Sequence, residues 1–157
     1  MHEQHALIER LRTFPIALHA AVAHLDAATL TATPLPGEWS IAQNVHHLAD
    51  SHLNCYVRCK LIASEVEPPL KPYDQDLWAA MPDANAADLS ASLAILAGLH
   101  ARWAAFYTDL PADAWQRAGH HPESGRNTLV SMLTSYVNHG DSHLEQISRT
   151  LAAIPTR

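Results

Sequence analysis

Near the C-terminal end, His139 and His143 stand four residues apart in the stretch YVNHGDSHLEQI. On a helix that spacing points both imidazoles to nearly the same side, which is half of what a metal centre requires. The chain holds twelve histidines in 157 residues, so spacing alone does not separate a site from composition. Placement says more. With His139 at zero on a helical wheel, Leu129, Leu133, Tyr136, Val137, Gly140, Leu144, Ile147 and Leu151 share one arc, and His143 lies at about 40°. The pair therefore flanks the core-facing stripe, where side chains line a cleft between helices.

The same residues exclude several chemistries. A zinc peptidase of the H-E-x-x-H type needs a glutamate after the first histidine, and Gly140 stands there. Ferritin-like di-iron bundles need Glu-x-x-His on two helices, and the chain contains none. No G-x-S-x-G elbow, phosphate-binding loop or dinucleotide glycine pattern occurs either. What remains is a mononuclear centre with imidazole ligands, two from the last helix and one from elsewhere. Three neutral imidazoles leave a divalent ion with open positions, the arrangement of catalytic zinc.

A second candidate lies in IAQNVHHLADSHLNCYVRC. His47 is in register with Gln43, Asp50, Asn54 and Arg58, nearly opposite an apolar arc of Ile41, Val45, Leu48, Ala49, Tyr56 and Cys59. Such a stripe is either a solvated face or the wall of a polar cleft, and the wheel leaves both open. It also does not separate His46 from His47. His52 falls with the apolar arc and is expected to be a core histidine. His100 sits on the third helix, and His120 and His121 lie in a loop whose spacing assigns them no role. Cys55 and Cys59 face the apolar side and are expected to be buried thiols without a ligand role.

Four helical segments must position these residues. The first runs from Gln4 to about Leu25, with Pro15 expected to kink it. TATPLPGEWS reads as a loop, and Ser40 with Gln43 as a capping box opening a second helix to about Ala63. Glu65 to Asp88, with Pro68, Pro69, Pro72 and Pro82, reads as a long surface crossing with one helical turn near Asp76–Met81. A third helix is expected from Ala87 to about Leu110. The stretch PADAWQRAGHHPESGRN is expected to be irregular, and Asn127 or Thr128 to cap a fourth helix ending before Pro155. No alternating β pattern or repeat is evident. The expected fold is all-α, one four-helix bundle over residues 1–157 with a long connection between helices two and three.

Composition bounds the partners. Lys+Arg 10 against Asp+Glu 16 gives a net charge of −6, which offers no footprint for nucleic acid. No apolar run is long enough to span a membrane, and the N-terminal MHEQHALIERLRTF lacks the apolar segment of a signal peptide. A cytoplasmic protein with a small-molecule partner is the expectation.

The blocks GEWSIAQNVHHLADSHLNCYVRCKL, KPYDQDLW, LHARW, GHHPE and YVNHGDSHLEQI arrive in order. Together they resemble the DinB-like superfamily of helical bundles, and within it the YfiT-like branch of metal-dependent hydrolases related to bacillithiol transferases. The likeness runs from about Leu7 to Ile154. It implies one divalent ion per chain (zinc, nickel or iron) on His47, His139 and His143, and so favours His47 over His46 and the cleft over the solvated face. It further implies transfer of a low-molecular-weight thiol to an electrophilic substrate. Hydrolysis by an activated water, or a non-catalytic ligand-binding bundle, are the alternatives. Asp50 is expected either to orient an imidazole or to be a solvated acid. Asn54 and Arg58 are expected to meet a substrate carboxylate or a thiol-cofactor anion, unless Arg58 pairs with a surface acid. Asp141 and Ser142, where relatives can carry further histidines, either tune the site or face solvent. A homodimer is implied by the resemblance, and an N-terminal extension carried by some relatives is expected to be missing.

Overall fold

The breaker-rich stretch after Leu30 ends at Ser40, and the chain enters its longest early helix through a reciprocal cap. The Ser40 hydroxyl accepts the Gln43 N–H at 3.1 Å, while the Gln43 side-chain oxygen accepts the Ser40 N–H at 3.0 Å. Thr128 and Ser131 repeat the device at the last helix, so of the two expected caps Thr128 is the one used. The computed structural model describes residues 2–155. Its helices are α1 (His2–Val22), α2 (Ala27–Thr31), α3 (Ile41–Ser64), α4 (Gln75–Ala79), α5 (Ser90–Thr108) and α6 (Leu129–Ala153). The four long ones, α1, α3, α5 and α6, are the expected bundle. α1 continues through Pro15 without ending there.

α1 packs on α5 and α6, and α3 packs on the same two neighbours, so the first two long helices face each other across the bundle. Two apolar clusters fill it. One gathers Leu11, Cys55, Cys59, Ile62, Trp103, Tyr107, Leu133 and Val137. The other gathers Phe14, Leu18, Ile41, Val45, Leu48, Leu96 and Ile147. Between the two levels, His52 and His100 are fully buried. As expected, Cys55 and Cys59 are core thiols.

The fold is the expected helical bundle, and the region after α5 departs from the local expectation. β1 (Ala118–His121) and β2 (Gly125–Thr128) form an antiparallel hairpin where the sequence suggested irregular chain. Four-residue strands are too short to show an alternating pattern. The long connection leans on this hairpin: Leu70 N–H donates to His120 O at 2.8 Å, and His120 N–H to Pro68 O at 2.9 Å. Gly119 permits the approach, since a Cβ there would stand 2.9 Å from the Pro68 oxygen. Arg117 completes the end of α3, donating to the carbonyls of Ile62 (3.1 Å) and Glu65 (2.9 Å). The connection thus crosses α3 as a fixed cover. α4 and a single 3-10 turn at Asp83–Asn85 pack on that helix. No helix among the described residues is long and apolar enough to cross a membrane.

Candidate metal centre

The cover explains the polar stripe of α3. With α5 and α6 on two sides and the connection over a third, α3 has little solvated face left. His47 and Arg58 are buried, while Gln43, Asp50 and Asn54 are half-buried. A stripe that looks solvent-facing on a wheel is a cleft wall in the fold.

His47 from α3 meets His139 and His143 from α6 there. His47 Nε2 lies 3.3 Å from His139 Nε2, and His143 Nε2 lies 3.1 Å from the same atom. The three form a group whose ligand atoms all lie within 4.8 Å of one another. Two nitrogens bound about 2.0–2.1 Å from one ion at a tetrahedral angle stand roughly 3.3 Å apart, so the spacing suits a shared cation.

The hydrogen bonds around the ring support the same fit. Asn44 Nδ2 donates to the Ser40 carbonyl at 2.9 Å, which turns Asn44 Oδ1 toward His143 Nδ1 at 2.7 Å. An amide oxygen only accepts, so His143 Nδ1 carries the hydrogen and its Nε2 presents a lone pair to the cluster. Burial lowers His47 and His143 to about 4 and His139 to about 3, and for His47 and His139 the neighbouring imidazoles add to the effect. At neutral pH all three are uncharged, and an incoming ion displaces no excess proton. The donor set therefore fits a divalent metal ion.

Trp39 covers one side, its ring centroid 4.7 Å from that of His47 and 6.2 Å from that of His143. His139 borders two clefts. One, of about 570 Å³, is lined by Trp39, Asn44, Ser142, His143 and Gln146 among others. The second, of about 710 Å³, is lined by Ser51, Arg58, Tyr73, His121 and Tyr136.

The other sequence candidates separate cleanly. His46 turns from the cluster and ties α3 to Ala86 and to the first turn of α5, with Nε2 donating to Ala86 O at 2.9 Å and Nδ1 accepting from Ser92 Oγ at 2.8 Å. Asp50 lies toward Asp83 and His46, and its carboxyl is raised by burial and then by the Asp83 charge. The Nδ1 atoms of His143 and His139 face Asn44 and His52 instead. Asn54 donates to the Asp50 carbonyl at 2.9 Å and lines neither cleft. Arg58 does line the larger cleft. One terminal nitrogen reaches the Lys71 carbonyl, and its buried Nε has no hydrogen-bond partner. Asp141 pairs with Arg10 outside the cluster, and Ser142 borders the smaller cleft. His121 reaches the larger one from the hairpin.

Sequence reasoning did not single out Trp39, Asn44 or Tyr136, and it placed His52 in the core without its link to His139. For Asn44 a signal exists: it precedes His47 by three residues and shares its helix face. For His52 none exists, because its partners come from two other helices.

Comparison with known proteins gives a consistent picture. The profile of the DinB superfamily matches residues 10–147. The chain is 38% identical over 142 residues to "Putative metal-dependent hydrolase YfiT" of Bacillus subtilis (strain 168), covering 90% of this chain and 80% of that protein. A like-named protein of Oceanobacillus iheyensis is 36% identical over 141 residues, covering 90% and 81%. The solved structure of Bacillus subtilis YfiT, described as a probable metal-dependent hydrolase with an unusual four-helix bundle topology, superposes with a TM-score of 0.92 at 36% identity. That match covers 96% of this chain and 86% of that one.

Proposed function

The chain belongs to the DinB superfamily, and on that premise we propose that it is a metal-dependent enzyme transferring a low-molecular-weight thiol to an electrophilic substrate. The observation that carries the reading is the pair of clefts meeting at His139. A transfer between two molecules needs room for both beside one activating centre, and His139 borders two clefts that offer it. His47, His139 and His143 would hold a divalent ion, which when bound would acidify a thiol beside them.

The chain's own side chains do the rest. Asn44 holds His143 with its Nε2 toward the centre. Trp39 shields the flank of His47 and His143 from water. Arg58, buried and with Nε unpartnered in the wall of the larger cleft, is suited to an anionic group such as a carboxylate on the thiol compound. In the reaction the thiol gives up its proton to solvent water, its sulfur bonds the electrophilic carbon, and the leaving group departs with the electron pair of the broken carbon–leaving-group bond.

Hydrolysis is the second reading, favoured by the names of the Bacillus and Oceanobacillus relatives. It needs one cleft and a water. Untagged protein, assayed for metal and incubated with a panel of thiols and monochlorobimane with and without chelator, tests the choice. Chelator-sensitive conjugation at about one metal per chain, lost in His47→Ala and His143→Ala, is the expected result. Chelator-sensitive cleavage of esters or amides without conjugation selects the hydrolase, and stoichiometric metal surviving both substitutions removes the site assignment.

A further inference from the structure

Pro15 sits inside α1 and has no N–H, so the carbonyl four residues earlier, at Leu11, loses its helical donor. Leu11 is 1% exposed, and a carbonyl this deep needs another partner. His100 of α5 provides it, with Nδ1 at 2.6 Å from the Leu11 oxygen. A carbonyl only accepts, so the His100 hydrogen is on Nδ1, and in a neutral imidazole Nε2 is then bare. That bare nitrogen lies 2.7 Å from His52 Nδ1 on α3, which must therefore carry the next hydrogen. His52 Nε2, bare in turn, lies 3.2 Å from His139 Nδ1. His139 is left with its hydrogen on Nδ1 and a lone pair on Nε2, the atom that faces His47 and His143.

We propose that His100 and His52 are positioning residues that fix the tautomer of His139 from the freed Leu11 carbonyl, so that its Nε2 is always the bare, metal-facing nitrogen. The chain of hydrogens has one direction because a carbonyl terminates it. It passes through all four long helices, from α1 to α5 to α3 to α6. Each ring-to-ring contact, at 2.7 Å and 3.2 Å, needs one bare nitrogen facing one that carries a hydrogen, so each ring in the series has a single hydrogen to place. Phe14 packs beside the first two rings, with centroids 5.6 Å from His52 and 5.3 Å from His100. A purely apolar core would fill the same space without the wire. Two buried imidazoles in series are explained by the orientation they transmit. The inference rests on the three-histidine centre holding an ion, whichever reaction follows.

Histidine-labelled, metal-free protein observed by long-range proton–nitrogen NMR reads the tautomers directly. His100, His52 and His139 should each show the hydrogen on Nδ1. Zinc affinity, measured against a chromophoric chelator, should then weaken about 10–100-fold in His52→Leu, the usual size for loss of such a supporting partner. His52→Gln, whose side-chain oxygen can still accept from His139 Nδ1, should recover most of it. An Nε2–H tautomer at any of the three, or an unchanged zinc affinity in His52→Leu, overturns the proposal while leaving the metal centre standing. Failure of the wild-type protein to take up zinc overturns both together. The wild-type tautomer measurement decides the matter even if a variant fails to fold.

Discussion

Asn44 Oδ1 receives the hydrogen of His143 Nδ1 at 2.7 Å, and the asparagine is itself fixed by its 2.9 Å bond to the Ser40 carbonyl. The cap of α3 and the ligand on α6 are thereby one hydrogen-bonded unit. A residue that starts a helix and a residue that would hold an ion share a partner, so the entry geometry of α3 is also the aim of His143.

Asn44→Ala removes the acceptor and leaves His143 free to place its hydrogen on either nitrogen. Zinc affinity is expected to fall by about 10–100-fold. Asn44→Asp keeps an acceptor toward Nδ1 but gives up the donation to Ser40 O, and should lose less affinity than Asn44→Ala. Titration calorimetry on the two variants checks the difference. Equal losses would show that Asn44 acts through packing alone.

Gly140 lies where a Cβ would come within 2.7 Å of the Phe14 ring. That ring touches His52 and His100, so α1 can approach α6 beside His139 only because position 140 has no side chain. Gly140→Ala gains about 1 kcal/mol of helix propensity but overpacks a filled site at a cost of about 1–3 kcal/mol, for a net destabilisation of up to about 2 kcal/mol. Thermal unfolding measures it, and Phe14→Leu in the same chain should relieve part of the loss.

Among the described residues, Arg58 is the one arginine or lysine in the wall of the larger cleft. Arg58→Gln should raise KM for a carboxylate-bearing thiol by about tenfold or more, consistent with loss of a charge-assisted bond. For a neutral thiol such as 2-mercaptoethanol, KM should be nearly unchanged. Comparing the two thiols under steady-state conditions separates a binding role from a general loss of structure.

The buried histidines set a pH dependence for the metal-free protein. His47, His143 and His100 are lowered to about 4 and His139 to about 3, from an ordinary 6.5, chiefly by burial. Depressed values mean that the unfolded chain binds protons more readily, so this contribution to stability is complete above pH 6.5 and is lost as pH falls toward 4 and 3. Denaturant midpoints should therefore drop steadily below pH 6.5. Zinc, which binds the uncharged imidazoles of the folded state, should move the drop to lower pH. A midpoint flat from neutrality to pH 4 would contradict the burial of these rings.

Sequence by itself determined what depends on neighbours along the chain. The Ser40–Gln43 cap, the span of α3, the four long helices and the facing of His139 and His143 are all local, because helical periodicity and capping act over three or four residues. The resemblance carried by GEWSIAQNVHHLADSH added His47. Only the tertiary structure decided which side of α3 is solvated, since that depends on the chain from Glu65 to Asp88 folding back across it. It also gave the strands around His120 and His121 their pairing, too short a pattern to read in advance. Most of all it decided what His52 and His100 are for. Each looks like an ordinary histidine on a helix, and each acquires a direction only when α1, α3, α5 and α6 close around a carbonyl that Pro15 leaves without its helical partner. Hydrogen-bond direction is a property of who faces whom across the bundle, and no spacing along one helix encodes it.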